Sequence, residues 1–361
     1  MRTRIAASAI LAFAAFFSGC AAEEAKEDAA PAQEDDLIVA PPLGPDPRGA
    51  ATKHPIILHH GFAASSDPRS VWSFYKVRDA LLRDGHPIVH ETMVAPFAGI
   101  ETRGVDFAKH VDLARSECKA KPGCDASKVH IIAHSFGGLD ARHYVKTHNA
   151  DGHVLSVTTI SSPHRGTHIA DVGLELLGQR STKMPAAVKE LAKAGANKLA
   201  ELVAGTFTLE ELAQKTDITS ALEDLSEENA QKFNAEHPLD PKVTYWSYAG
   251  VAERDGDDRK ALDACGGPIA TYRDRHDNLD LLLVAPAFVT GHFFDKVPND
   301  GMATVESAKL GTFKGCIAMD HLDEVGQPKH DGAMKRTGFD HIRFYRNVAF
   351  DLQRLETSQT R

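Results

Sequence analysis

The 361-residue sequence lacks several features that mark particular classes of protein. No stretch contains more than two consecutive Lys or Arg residues, and the net charge is −9 at pH 7. Proteins that bind nucleic acid need a basic patch, so no nucleic-acid partner is expected. No Cys-x-x-Cys pair is present, which disfavours a cysteine-based metal site. The apolar run near the N terminus, residues 5–17, is too short to cross a bilayer.

The N-terminal residues are typical of an exported protein. Arg2 and Arg4 precede the apolar run, as in signal peptides. The run ends in Phe17-Ser18-Gly19-Cys20, which resembles the lipobox of bacterial lipoproteins. There the signal is removed before the cysteine, and the cysteine is lipidated. Residues 1–19 are therefore predicted to be a lipoprotein signal and Cys20 the lipid anchor; Ala21 beside it favours the outer membrane. A plain secretory signal, with Cys20 incidental, is the alternative.

Residues 20–53 are predicted to be an acidic tether. Ala, Glu, Asp and Pro dominate the segment, and few apolar residues could build a core there. The folded domain is expected to occupy residues 54–361.

Four further cysteines predict two disulfides. Export places them in an oxidising compartment, where an even number of cysteines usually pairs. Three pairings are possible, and we favour a local Cys118–Cys124 bridge with a Cys265–Cys316 bridge. The second would close a loop of about fifty residues and contribute roughly 4 kcal/mol in the chain-entropy model.

Strand-like and helix-like segments alternate from residue 54 onward. Apolar, β-branched stretches lie near residues 55–60, 87–91, 129–134, 154–160 and 243–249, with helical patterns at 71–82, 105–114 and 139–146. This alternation predicts an α/β fold with a mostly parallel sheet and helices on both faces. Ligands of such sheets bind at the carboxyl ends of the strands.

Residues 169–238 interrupt the alternation with helical periodicity. One interpretation is a lid whose apolar face covers a lipid-binding site. The other is additional packing around the sheet.

The sequence Ala133-His134-Ser135-Phe136-Gly137 follows an apolar strand and precedes a helix. Small residues two before and two after a serine in this context are typical of a nucleophile elbow. An ordinary strand-to-helix turn, with a serine that caps the helix, is the alternative.

A serine nucleophile needs a histidine base and a carboxylate that orients it. On a strand–helix fold these follow the serine in the order acid, then histidine. Asp300 lies in a turn signature, and His321 lies in a polar loop late in the chain. His330 and His341 are the rival bases.

Several motifs resemble the calcium-dependent, foldase-dependent true lipases of bacteria, which belong to the α/β-hydrolase superfamily. The matching segments are an apolar strand ending in His-Gly plus a bulky residue (58–62), the elbow (133–138), Pro-His-Arg-Gly (163–166), Asn-Asp-Gly (299–301) and His-Leu-Asp-Glu-Val (321–325). The resemblance covers about residues 55–350. It implies an α/β-hydrolase fold with a helical lid.

The resemblance also assigns roles. It makes Ser135 the nucleophile, His321 the general base and Asp300 the residue that orients the imidazole. The backbone amides of Phe62 and Phe136 would form the oxyanion hole, where one donor typically contributes about 3 kcal/mol to transition-state stabilisation.

A structural calcium ion is a further implication of the resemblance. Family members hold it with two aspartates and two backbone carbonyls, all hard oxygen ligands. Asp277 and Asp323 match the aspartates, with Asp280 as the alternative to Asp277. Gln327 and Asp331 match the carbonyl donors.

The expected function is therefore hydrolysis of acylglycerol esters at a lipid interface by a triacylglycerol lipase. A carboxylesterase, phospholipase or polyester hydrolase with the same triad is the first alternative. A catalytically silent lipid-binding lipoprotein is the second. The family disulfide lies shortly after the Asn-Asp-Gly acid, whereas Cys316 comes later here. The predicted anchor also differs from released family members, so a foldase partner and the export route stay open.

Overall fold

The computed structural model describes residues 51–63, 74–181, 189–190, 193, 216–252, 258–266, 269, 279–280, 283–291, 297–327 and 339–359. The predicted signal peptide, Cys20, nearly all of the tether, Asp277 and Asp331 lie outside these residues, as do His330 and much of the helical insertion. None of the described helices is both long and apolar enough to cross a membrane.

Six parallel strands form the central sheet. They are β1 (Ile56–His59), β2 (Val89–Glu91), β3 (Val129–His134), β4 (Val154–Ile160), β5 (Thr244–Gly250) and β6 (Thr312–Ile317). Their order across the sheet is β2-β1-β3-β4-β5-β6. The first five coincide with the predicted strands. β6 was not predicted: it is an edge strand, half exposed at its start, and its Lys and Gly interrupt the apolar pattern.

The helices connect and flank these strands. They are α1 (Val77–Arg83), α2 (Ile100–Lys119), α3 (Gly137–His148), α4 (His168–Leu176), α5 (Ile218–Leu225), α6 (Glu227–Glu236), α7 (Asp258–Cys265), α8 (Val284–Thr290), α9 (Val305–Ala308) and α10 (His341–Gln359), with a 3₁₀ turn at Asp323–Val325.

The core lies on both faces of the sheet because successive strand residues point to opposite sides. Ile56 and Leu58 pack with α1 and α10 on one face. Ile57, between them, packs with α2 and α3 on the other. The predicted architecture, a parallel sheet covered by helices on both faces, is confirmed.

Both predicted disulfides are present. Cys118 and Cys124 are joined across a Cα–Cα distance of 5.3 Å. Cys265 and Cys316, at 5.6 Å, tie the end of α7 to β6.

The described residues just before residue 54 pack against the domain. Thr52 is buried, and the amides of Lys53 and His54 both donate to the Glu356 carboxylate in α10. The C-terminal helix therefore holds the point at which the predicted tether enters the fold.

The described part of the insertion packs on the elbow helix. Leu174 of α4, Leu222 of α5 and Phe233 of α6 share an apolar cluster with Phe136 and Leu139. These helices, α4 to α6, are called the cap below.

Candidate active site

The turn at Ser135 has the geometry of a nucleophile elbow. β3 ends at His134 and α3 begins at Gly137, and Ser135 between them has a φ of 56°. Non-glycine residues rarely adopt this conformation, and such strain is concentrated at functional sites. A Cβ on Gly137 would lie 2.8 Å from two backbone oxygens, and one on Gly138 would lie 2.1 Å from Ser162 Oγ. Only glycine fits at these positions.

The candidate base and acid meet beyond the C-terminal ends of β5 and β6. His321 Nδ1 donates to Asp300 Oδ2 at 2.7 Å, and both side chains are buried. The other oxygen of Asp300 accepts from the amides of Met302 and Ala303. Burial raises the pKa of Asp300, but the charge and hydrogen bond of His321 and the two amides outweigh it and leave this pKa below its usual value.

His321 lies beside the elbow. Its ring centroid is 4.4 Å from that of His134, the residue before Ser135. Ser135 and His321 share no hydrogen bond in this structure. Catalytic hydrogen bonds are often long without substrate and tighten when it binds. His341, the rival base that the structure describes, lies at the start of α10 and donates instead to the Tyr75 carbonyl.

The segments that carry the Phe62 and Phe136 amides, called the oxyanion segments below, meet at the nucleophile. A Cβ on Gly61 would lie 2.5 Å from Ser135 Cβ and 3.0 Å from its Oγ, so the backbone leading to Phe62 runs directly against the serine. Within the described part of the chain, neither the Phe62 amide nor the Phe136 amide donates to a backbone carbonyl. Both are available to a developing oxyanion.

A fully buried carboxyl group at the site was not recognised from the sequence. Glu324 shares a 2.9 Å hydrogen bond with His134 Nε2 and accepts from Ser161 Oγ at 2.6 Å. Burial, and then the charge of Asp300, raises the pKa of Glu324 well above its usual value. The sequence signal was its place in His-Leu-Asp-Glu-Val, which we used only as part of a motif.

The sequence is similar to a thioesterase family and to proteins named as lipases. A family model described as palmitoyl protein thioesterase matches residues 55–221. Triacylglycerol lipase 2 of Saccharomyces cerevisiae is 27% identical over 65% of this chain and 56% of its own length. A triacylglycerol lipase of Vibrio cholerae is 27% identical over 76% of this chain and 80% of its own length.

Solved structures give the same picture of the fold. Staphylococcus hyicus lipase is 20% identical with a TM-score of 0.57, covering 88% of this chain and 100% of that one. EstA of Clostridium botulinum is 18% identical with a TM-score of 0.52, covering 86% and 89%. The chain therefore has the α/β-hydrolase fold. It spans only about half the length of several curated relatives that it matches.

Two described calcium candidates lie in the loop that carries His321, residues 318–327, called the histidine loop below. Asp323 begins the 3₁₀ turn that follows His321, Gln327 lies two residues after its end, and both are buried. The Asp280 amide donates to Asp320 Oδ2 at 2.8 Å, so the half-buried Asp280 lies against the same loop. Carboxylate and carbonyl oxygens on these two segments are of the ligand type that calcium takes.

Two other groupings have the spacing of metal ligands: His134 with His321 and Glu324, and His168 with Asp171 and Glu227. In the first, His134 and Glu324 are hydrogen-bonded to each other. In the second, Asp171 pairs with Arg180 at 2.6 Å and accepts from the Glu227 amide. These contacts explain both groupings without a metal.

Proposed function

We propose that this α/β-hydrolase cleaves the carboxylic esters of acylglycerols, with Ser135, His321 and Asp300 as its catalytic triad. The observation that carries the proposal is the 2.7 Å bond from His321 Nδ1 to Asp300, on an imidazole that lies beside a strained elbow serine. The curated relatives named as lipases support the same class of reaction.

In the acylation step, Ser135 Oγ attacks the ester carbonyl while His321 Nε2 takes the hydroxyl proton. The imidazolium is stabilised by Asp300, whose lowered pKa keeps it ionised. The Phe62 and Phe136 amides bind the oxyanion of the tetrahedral intermediate. His321 then gives the proton to the departing alcohol, which leaves an acyl group on Ser135.

In the deacylation step, His321 activates a water molecule that attacks the acyl-enzyme. A second tetrahedral intermediate uses the same two amides. Its collapse releases the fatty acid and returns the proton to Ser135.

The calcium proposal assigns a positioning role to the loop after β6. Asp323 and the carbonyl of Gln327 would hold the ion together with Asp277 or Asp280 and Asp331. When bound, the ion supplies positive charge that ties these oxygens together. Because Asp323 is two residues from His321, an ion that held Asp323 in place would also restrict the position of the His321 imidazole.

The apolar side chains of the cap favour a substrate with a long acyl chain. Its apolar side chains pack around Phe136, and the side chains of Phe62 and Phe97 adjoin the same cluster. We propose that the cap continues into a lid that opens at a lipid surface. A carboxylesterase, phospholipase or polyester hydrolase would use the same triad without this preference for an interface.

The thioesterase family match favours a second candidate activity. Residues 55–221 include the elbow and the proposed oxyanion segments. The same acylation step would cleave a long-chain acyl thioester, with a thiol in place of the alcohol as leaving group. A direct comparison of kcat/KM on matched oxo- and thioesters decides which bond the site prefers.

We also propose that the mature protein begins at a lipidated Cys20 and is anchored in the outer membrane. A Cys20→Ser change should release the protein from the membrane fraction. A secreted enzyme would instead be distributed identically with and without Cys20.

The proposed function is tested by tributyrin hydrolysis measured as the ester concentration crosses its solubility limit. A rate that rises once droplets form, and that disappears in Ser135→Ala, is expected. A Ser135-dependent rate that saturates below the limit would indicate a soluble-ester esterase. A folded protein with no Ser135-dependent rate would favour the silent lipid-binding alternative.

A further inference from the structure

An arginine side chain lies in the interior next to the oxyanion segments. Arg103 of α2 and Asp140 of α3 are both completely buried. Nε donates to Asp140 Oδ2 at 2.8 Å, and Nη2 lies 2.7 Å from the same oxygen in an ion pair. Burying two charges is costly, and apolar residues of similar volume are often at least as stable. This cost indicates that the Arg103–Asp140 pair has a role beyond stability.

The remaining contacts of Arg103 reach both oxyanion segments. Nη2 also donates to the His60 carbonyl at 2.8 Å, two residues before Phe62. The guanidinium carbon lies 4.9 Å from the centroid of the Phe136 ring. Nη1 donates to the Ala95 carbonyl. One planar group thus contacts the chain that carries each proposed amide donor.

Asp140 connects this contact to the elbow helix. Its amide donates to the Phe136 carbonyl, so it lies one helical turn beyond the elbow. Its Oδ2 accepts from His59 Nε2 at 2.9 Å as well as from Arg103. Burial raises the pKa of Asp140, but the Arg103 charge and the His59 hydrogen bond outweigh it and leave the carboxyl ionised. The carboxylate therefore contacts the end of β1 and α2 from its place on α3.

We propose that the Arg103–Asp140 pair positions the oxyanion hole by fixing the distance between the Phe62 and Phe136 amides. The inference rests on the proposed function, because it concerns the proposed acyl-transfer site. The pair does not touch substrate, so its members are positioning residues. Displacing one hydrogen-bond donor of an oxyanion hole typically lowers kcat by about 100-fold or more, and misplacement by about 1 Å can have a similar effect.

A purely structural role makes a different prediction. Removing one partner would leave an unpaired buried charge and destabilise the fold, whereas removing both would restore stability. If the pair only supports the fold, activity returns together with stability. If the pair positions the amides, stability returns and kcat does not.

The deciding experiment uses Arg103→Met with Asp140→Leu, and Arg103→Lys as a second variant. Lysine keeps a positive charge next to Asp140, but it lacks the planar guanidinium that can donate to the His60 and Ala95 carbonyls at the same time. Arg142→Met is the matched control. Arg142, which lies in α3, is buried like Arg103. It donates to Asn234 of α6 and to the carbonyl of His237 at the end of α6, and not to the oxyanion segments.

Melting temperature, kcat and KM on a soluble short-chain ester, and the rate of inactivation by a phosphonate are measured for each protein. We expect the double variant and Arg103→Lys to lose about 100-fold in kcat and in phosphonate reactivity, with KM changed by less than about threefold. We expect Arg142→Met to retain kcat within about threefold, whatever its melting temperature.

Wild-type kcat in Arg103→Lys, or equal losses in Arg103→Lys and Arg142→Met, would overturn the inference. If the double variant does not fold, Arg103→Lys decides alone. A wild-type protein without Ser135-dependent turnover would overturn the proposed function and this inference with it. An active wild type with fully active Arg103 variants would overturn only the inference.

Discussion

The two halves of the candidate site are held in place by different means. The nucleophile half, residues 58–62 and 129–138, consists of strand ends and a tight turn in which glycines leave no room for a Cβ. The acid–base half, residues 297–304 and 318–327, consists of loops joined by hydrogen bonds, such as the one from the His321 amide to the Asp300 carbonyl. Tight packing around glycines therefore shapes the first half, with the Arg103–Asp140 pair beside it, whereas the second half depends mainly on hydrogen bonds between loops. Substitutions, ions and pH should affect the two halves differently.

The largest expected effect concerns the base of the acid–base half. His321→Gln should lower kcat by about 10⁵-fold, because Ser135 loses the group that takes its proton. His341→Gln is the matched control, since His341 contacts the Tyr75 carbonyl rather than Asp300. Its kcat should stay within about threefold of wild type. Steady-state kinetics check both, and equal losses would contradict the assignment of the base.

The two disulfides, which lie outside both halves, should differ in how much they stabilise the fold. Removing the Cys265–Cys316 bridge, which spans 51 residues beside β6, should lower the free energy of unfolding by about 4 kcal/mol. Removing the Cys118–Cys124 bridge, which spans 6 residues at the end of α2, should cost only about 2 kcal/mol in the same model. Paired Cys→Ser variants and denaturant unfolding measure both. The reverse order would break the comparison.

Calcium should act on the acid–base half alone. Calcium at 100 times its Kd would stabilise the protein by about 2.7 kcal/mol, so chelation should lower both the melting temperature and kcat. Asp323→Asn should lose this response, whereas Glu306→Gln, an exposed change outside the histidine loop, should keep it. Unchanged melting temperature and activity on chelation would show that the proposed ion site is wrong.

The smallest expected effects come from pH, and they have opposite signs. Asp224 of the cap accepts from the Ile100 amide at the start of α2, and burial raises the pKa of Asp224 to about 6. Its contribution to stability is full below the unfolded pKa of about 3.9 and is lost as pH rises through about 6. Asp300 has a lowered pKa, so its contribution is present above about 3.9 and is lost as pH falls.

Between about pH 4 and pH 7, the free energy of unfolding of the wild type should fall by about 1 to 3 kcal/mol because of Asp224. Asp224→Asn should therefore not show this fall. Asp300→Asn should instead flatten the decline below about pH 4. Unfolding free energies measured across this range check both changes. A wild-type-like pH profile in Asp224→Asn would contradict the raised pKa.

The same contrast explains which features could be predicted from the sequence. The elbow is local: an apolar strand, a serine and two glycines lie within ten residues, so the pattern alone indicates Ser135. The acid–base half depends on residues far apart in the chain. A family resemblance selected His321 over His330 and His341 and gave the turn residue Asp300 its role, and the structure brings their side chains together.

Partners that depend on long-range packing were missed for the same reason. Nothing near Arg103 in sequence indicates that its guanidinium contacts Asp140 across the core. Glu324 looks like one more acid in an acidic loop, and only the fold places it against His134. β6 escaped prediction because its alternation is broken where it is half exposed at the edge of the sheet.

The central claim is that Ser135 is a nucleophile activated by the acid–base half. The most direct measurement is titration of the mature protein with a serine-directed alkyl phosphonate, followed by mass spectrometry of the labelled peptide. We expect one phosphonate per chain, attached to Ser135, with labelling lost in Ser135→Ala and strongly slowed in His321→Gln. Absence of labelling in folded protein, or a label on another residue, would contradict it.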